Sequence, residues 1–213
     1  PVIIKPLVRE AVDLSAIVTV ADDGGSSGLL RDYINIVPPG DIRNILVAMA
    51  DVDPEILKLL QYRFHAEDAF FAEHAVGNLI IAAITEMQGN IFDAVQRLAA
   101  FLRVRGHVYP VSNEPLVLHA EFKNGSTLAG ESEITHAHQT IDHVWVTGDE
   151  PGEEPKAAPE VVTAIMNADM VVYGPGSLFT SILPNVVVPE VRQALQQTSA
   201  KQVYIANIMT QKG

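Results

Sequence analysis

The apolar positions of this chain follow a helical period in the first half, alternate after residue 107, and return to a helical period near the end. Val2, Ile3, Leu7 and Val8 share a helical face of residues 2–12, although Pro6 removes an amide donor from its middle. The run Ala16-Ile17-Val18-Thr19-Val20 is continuous and mostly β-branched, the pattern of a parallel strand covered on both faces. Pro38 and Pro39 lead into Ile42, Ile45, Leu46 and Met49, which predicts a helix beginning near Gly40 and Asp41. Residues 55–62, 75–87 and 91–102 read as further helices. The second is almost wholly apolar and is expected to be central; the third is amphipathic.

From residue 107 the segments HVYPVS, LVLHAEF, TLAGESEI and DHVWVTG are short and alternating, predicting an antiparallel β insert over about 107–150. Asn124-Gly125 predicts a hairpin whose two turn residues both take positive φ. Residues 151–159, PGEEPKAAP, form a Pro-rich charged connector. A helix over 160–167, a strand DMVVYG, a second glycine turn, a further helix and a last strand follow. This order predicts one α/β domain over 1–213, with a largely parallel sheet flanked by helices and a small antiparallel insert. The abrupt opening at Pro1 and the short polar close predict that more chain belongs beyond both ends.

Composition narrows the function classes. With 213 residues and 48% apolar content the chain can bury a substantial core. It has no Cys, which excludes a disulfide frame and thiolate metal sites and fits a reducing, cytoplasmic compartment. No apolar run reaches membrane-spanning length, and no signal segment opens the chain. Fourteen basic against 26 acidic residues give a net charge of −12, which argues against nucleic acid as a partner. A small anionic ligand must be held by backbone N–H groups, a helix terminus or a cation.

Two strand ends carry the same device. In VTVADDGGSSG and in MVVYGPGSLFTS a strand runs into a turn rich in Gly and hydroxyl residues. Glycine admits close backbone approach there, and a helix N-terminus offers unpaired amides to phosphate oxygens. Gly24, Gly25 and Ser26 in the first turn, and Gly174, Pro175, Gly176, Ser177 and Thr180 in the second, are candidate ligand contacts. Off one edge of a parallel sheet, the segments around positions 22, 43 and 176 are expected to share a crevice. Asp22 and Asp23 repel phosphate but can fix a ribose or sugar hydroxyl, or hold a Mg²⁺ that bridges to phosphate. In PPGDIRN, Asp41 suits a helix start as well as a ligand. Arg43 can cap a neighbouring element or pair with Asp22 or Asp23, and Asn44 is a polar side chain at the head of an apolar helix, where a ligand explains it better than packing. In HAVGNLI, Asn78 either caps its helix or points its amide at a ligand.

Taken together, VTVADDGGSSG, PPGDIRN, HAVGNLI and GPGSLFTSILPN, in this order over nearly the whole chain, resemble the bacterial YvcK-type gluconeogenesis factor family. That family lies within the superfamily of the 2-phospho-L-lactate transferases of coenzyme F420 synthesis. The resemblance implies a Rossmann-like fold binding a nucleotide or nucleotide-sugar, with UDP-sugars such as UDP-N-acetylglucosamine for YvcK-type members and NAD or another dinucleotide in the same cleft. It also implies a part in gluconeogenic growth and cell shape, exercised through a protein partner in envelope synthesis. By motif, Asp22, Asp23, Asp41 and Asn44 fall around the base, ribose or acceptor, and residues 174–180 around the phosphates. Family members carry a GGGTGL turn before the segment that opens here and continue beyond NIMTQKG.

The transferase branch reads TGDD and then PDLDT. This chain keeps the paired Asp but reads PGDIRN, with Arg43 in place of the second carboxylate. A regulatory binding protein is therefore favoured over a Mg²⁺-dependent transferase of phospho-acyl or nucleotidyl groups. The residues offer no catalytic set: no Ser-His-Asp ordering and no HExxH is present. Alternation would place His136 and His138 of THAHQTIDH on one strand face, but a zinc site needs further ligands, and a solvated ribbon is favoured. His74 and the remaining histidines are read as packing or surface residues. Tyr62, Phe64, Phe70, Phe71 and Trp145 are too dispersed for base stacking. They are read as core or interface, with FHAEDAFFAEH a candidate surface for homo-oligomerisation.

Overall fold

Some helix boundaries in this protein fall where a side chain or a glycine serves the amides and carbonyls that a helix end leaves unpaired, as at Asp53, Asn90 and Gly89. The structure, a computed structural model, describes residues 2–34, 36–64, 74–149 and 152–208. Residues 1–18 and 24–110 form one compact unit, and residues 19–23 and 111–213 form another.

In the first unit Ser15–Val18 (β1) pairs in parallel with His107–Pro110 (β2), Ser15 opposite His107 and Val18 opposite Pro110. The sequence places HVYPVS in the antiparallel insert. Its pairing is parallel because the chain returns to β1 through helices, a crossover that restores strand direction. Residues 2–12 hold only one helical turn, Ile4–Leu7 (α1), since Pro6 supplies no amide to extend the ladder. The stretch GGSSG is not a loop: Gly25–Ile34 (α2) is helical from its first glycine, which enters at φ +48°. Ser26 and Ser27 are buried, and their hydroxyls are bonded to other segments, so tertiary contacts override the preference of Gly and Ser for turns.

Gly40–Met49 (α3) starts where the sequence puts it. Pro54–Gln61 (α4) is capped by Asp53, whose carboxylate accepts the Glu55 amide at 2.8 Å. Val76–Gln88 (α5) ends at Gly89, in the left-handed region at φ +83°. Ile91–Phe101 (α6) begins at Asn90, whose Oδ1 accepts from the Asp93 amide at 2.8 Å. α5 is not buried all round as its composition suggests. Gly77, Asn78, Ile81, Ala82 and Thr85 are its buried residues, Leu79 is half-buried against Leu30 and Ile36, and Met87 stays exposed. Ile42, Leu46, Met49, Ile81, Val95 and Val108 are essentially inaccessible. Each such aliphatic side chain contributes about 1.5–3 kcal/mol on burial.

In the second unit Leu116–Phe122 (β3) is the centre of an antiparallel sheet, between Thr127–Ala129 (β4) and Ile141–Gly148 (β5). Leu116, Leu118, Ala120 and Phe122 face the core, while Val117, His119 and Glu121 are half-buried on the other face. The β3–β4 hairpin is present, but with a different turn. Gly125 takes φ +81°, the Gly125 amide bonds to Phe122 O at 2.8 Å, and Phe122 N bonds to Ser126 O at 2.9 Å. This is a three-residue loop with the glycine alone in the left-handed region, and Asn124 instead accepts from the Ser126 amide at 3.0 Å.

The segment ESEITH is not a strand but a short helix, Glu131–His136 (α7), entered through Gly130 at φ +97°. That change removes the expected histidine pair. His136 Nδ1 lies 2.6 Å from Ser132 O, and His138 is in the following loop at φ +49°. Pro159–Asn167 (α8) and Met170–Tyr173 (β6) follow. The helical turns Leu178–Ile182, which is π-helical, and Leu183–Val186 (α9) come next. Pro189–Gln197 (α10) and Lys201–Tyr204 (β7) complete the unit. β7 pairs in parallel with β6, Met170 opposite Lys201.

The fold is thus mixed α/β with parallel strands, an antiparallel sheet and flanking helices, as the sequence predicts. Among the described residues the parallel pairing forms two separate two-stranded pairs, β1–β2 and β6–β7, rather than one sheet. No helix among the described residues is long and apolar enough to cross a membrane. Phe70, Phe71 and most of the FHAEDAFFAEH segment lie outside the described residues.

Candidate ligand-binding residues

Four of the predicted residues are joined in the first unit by one chain of hydrogen bonds. Arg43 leaves α3 with its guanidinium buried, at 6% exposure. Its Nη1 donates to Asn78 Oδ1 on α5 and its Nη2 to Asn44 Oδ1, both at 2.9 Å. Asn78, 1% exposed, donates from Nδ2 to Ser26 Oγ in the first turn of α2 at 2.9 Å. Ser26 Oγ in turn lies 3.0 Å from His74 Nδ1. Ser27, its neighbour, accepts the Gly40 amide at 3.1 Å and so serves the first turn of α3.

This arrangement revises two expectations. Arg43 is bonded to the amide oxygens of Asn78 and Asn44 where the sequence allowed a carboxylate, and Asn78 does not cap α5, whose start at Ala75 has no side-chain cap. Burial lowers the Arg43 pKa, Arg63 lowers it further, and Asp41 partly offsets both. Arg43 Nε is buried without a hydrogen-bond partner. Helix packing leaves room for this side chain only because position 77 is glycine. A Cβ there would sit 2.6 Å from Leu60 O and 2.8 Å from Arg43 Cδ. A buried guanidinium held by neutral amide oxygens remains a positive charge to which an anionic group is attracted, at a cost in desolvation.

The second unit holds the other predicted residues. Asp23 Oδ1 accepts the Ser132 amide at 2.8 Å in the first turn of α7. Its Oδ2 lies where a Cβ on Gly130 would fall, so glycine at 130 is needed for both the turn and the carboxylate. Asp22 is half-buried beside it. Among the described residues no group of three or more His, Asp or Glu side chains is gathered as a metal site. A Mg²⁺ on Asp22 and Asp23 would take its other ligands from phosphate and water.

At the second glycine turn Gly174 takes φ +79°, and the Gly174-Pro175 peptide is cis. Asn207 Nδ2 bonds to Gly176 O at 2.7 Å, and Ser177 Oγ accepts from the Thr180 amide at 3.4 Å. Beyond this turn Leu178, Ile182, Val186, Leu195 and Tyr204 line an apolar groove of about 570 Å³. Sequence reasoning missed His74, Ser27, Asn207 and Ser132. The first two carried a usable signal, since HAVGN and GGSSG each place a polar side chain beside a residue already singled out.

Glycine turns following strands of parallel pairs, in a mixed α/β fold, define the class of architecture. The whole chain, residues 1–213, matches the family model described as 2-phospho-L-lactate transferase CofD, and the protein belongs to that family. It is 55% identical over 213 residues to a Lactococcus lactis protein named "Putative gluconeogenesis factor". It is 45% identical over 213 residues to the Gluconeogenesis factor of Listeria innocua. All of this chain but only 65% of each relative is covered, so the chain spans just under two thirds of their length. A crystal structure of a Bacillus halodurans protein superposes with a TM-score of 0.95 at 42% identity, over 100% of this chain and 67% of that one. A second structure from that organism, described as a member of the UPF0052 family, is 43% identical.

Proposed function

We propose that this protein is a cytoplasmic regulatory binding protein for a nucleotide-sugar, UDP-N-acetylglucosamine being the first ligand to test and NAD the second. The bound state would be read by a protein partner in envelope synthesis and would bear on gluconeogenic growth and cell shape. The observation that carries this reading is Arg43, a buried cation whose terminal nitrogens are bonded, among the described residues, to the amide oxygens of Asn78 and Asn44. A chain of net charge −12 does not attract an anion at long range, so a local cation has to supply the attraction. The glycine turn at 24–26 in one unit and that at 174–177 in the other would each offer backbone N–H to a phosphate group. Asp22, Asp23, Asp41 and Asn44 supply acceptors and an amide for hydroxyl or base. Calorimetric titration with UDP-N-acetylglucosamine and with NAD tests the proposal, and absence of heat with both counts against it.

The family's transferase description supports a second reading, a Mg²⁺-dependent phospho-acyl or nucleotidyl transferase. There Asp22 and Asp23 would hold the ion, whose charge would offset that of the phosphate. The commitment of Asp23 Oδ1 to the Ser132 amide leaves less of this carboxylate for a metal. Metal-dependent turnover that disappears in Asp23→Asn would promote this reading over the first.

A further inference from the structure

The hydrogen-bond chain that starts at Arg43 has a direction, and that direction fixes the state of its last member. A guanidinium carries donors only, so Asn78 must present Oδ1 to Arg43 and therefore Nδ2 to Ser26. An amide nitrogen accepts nothing, so Ser26 Oγ is the acceptor in that contact and its own proton has to point elsewhere. Ser26 is 4% exposed, and its other hydrogen-bonding neighbour is His74 Nδ1 at 3.0 Å. If Nδ1 carried the proton, the buried hydroxyl hydrogen would be left without an acceptor side chain among the described residues.

We infer that His74 is a positioning residue for the α2 turn: as the neutral imidazole with its proton on Nε2, it accepts the Ser26 hydroxyl proton at Nδ1 and closes the Arg43–Asn78–Ser26–His74 chain. Three segments distant in sequence, α3, α5 and the start of α2, are thereby locked to the residue that precedes α5. The inference also refines the binding reading, on which this part of it rests. With its proton committed to His74, Ser26 offers a ligand no side-chain donor. What the turn can offer an anion is backbone N–H, which the closed chain holds in place.

The test uses the whole chain labelled with ¹⁵N-histidine. Long-range proton–nitrogen correlation at neutral pH should show His74, assigned by its loss in His74→Asn, with an unprotonated Nδ1 and a protonated Nε2. The opposite tautomer, or the averaged pattern of a solvated imidazole, would overturn the inference. Hydrogen exchange at the Gly28 amide, which bonds to Gly24 O at 3.1 Å across the first turn of α2, supplies the second arm. The carboxamide oxygen of His74→Asn reaches the Nδ1 position and should keep protection near that of the native chain. His74→Leu should lower protection by about tenfold, the equivalent of one hydrogen bond. Equal protection in the two variants would sink the positioning role. Neither arm requires a ligand, so an absence of UDP-N-acetylglucosamine binding by the native protein would remove the nucleotide reading while leaving the His74 result decided.

Discussion

Replacing Asn78 by Leu removes the link on which the buried network turns. Asn78 is 1% exposed and makes one bond to a charged group, Arg43 Nη1, and one to a neutral hydroxyl, Ser26 Oγ, each at 2.9 Å. The first is worth about 1.5–3 kcal/mol and the second about 0.5–1.5 kcal/mol. Arg43 Nε already lacks a partner, so the guanidinium would keep only its bond to Asn44. Leucine returns about a quarter of the loss through apolar burial, which leaves a net destabilisation of about 1.5–3.5 kcal/mol. For a chain of this size that is a fall in Tm of about 3–14 °C. Asn44→Ala is the internal control. Asn44 is only half-buried, water can replace its oxygen, and the loss should stay near about 1 kcal/mol. Scanning calorimetry on both variants, with a Ser26→Ala/Asn78→Leu cycle, measures the effect and the coupling. A change in Tm below about 2 °C for Asn78→Leu would refute the reasoning, because the buried charge would then have found another partner.

Three further outcomes follow from particular contacts. Gly130→Ala forces a side chain into φ +97° and against Asp23 Oδ2, and should cost at least about 2 kcal/mol in urea unfolding. Gly77→Ala, whose Cβ would meet backbone at Leu60 and the Arg43 stem, should lower stability by about 1–3 kcal/mol and increase exchange of the α5 amides. His119 stacks on Trp145 at 5.2 Å, and burial lowers its pKa from 6.5. The unfolded chain therefore binds more protons than the folded one just below that value, and stability falls as pH drops through about 6.5. The urea midpoint should fall more between pH 7.5 and 5.5 in the native chain than in His119→Gln, and parallel falls would contradict the assignment.

Helices and their starts were readable because their signals are local. Asp53-Pro54, Asn90 and Gly89 act within one turn of themselves, and α3, α4, α5 and α6 lie within a few residues of where periodicity places them. Strand direction and turn state were less readable, because each depends on a partner distant in sequence. HVYPVS reads equally well in either direction until β1 is seen beside it. GGSSG becomes helix only because Asn78 and Gly40 occupy its hydroxyls. ESEITH alternates like a strand, but Asp23 receives the Ser132 amide and the segment coils.

The same distinction holds for the candidate ligand residues. Asn44 stands out as a polar residue at the head of an apolar helix, Asn78 as a polar residue at the start of another, and Ser26 through its glycine-rich turn, and the structure links all three with Arg43. Which of them would face a ligand and which hold the others in place is decided by bonding that no single stretch of sequence displays. Arg43 illustrates the point. The sequence lets it cap a neighbouring element or pair with Asp22 or Asp23, whereas among the described residues its terminal nitrogens bond to the amide oxygens of Asn78 and Asn44.

The most direct test of that central claim is calorimetric titration of UDP-N-acetylglucosamine into the native protein and into Arg43→Met, with the unfolding of both recorded alongside. Arg43→Met strands the buried Asn78 Oδ1 and should destabilise the fold by about 1–3 kcal/mol, so both titrations are run well below the variant's unfolding temperature, where binding should be weakened by tenfold or more. Unchanged affinity in Arg43→Met, or no saturable heat with the native protein, would contradict the account.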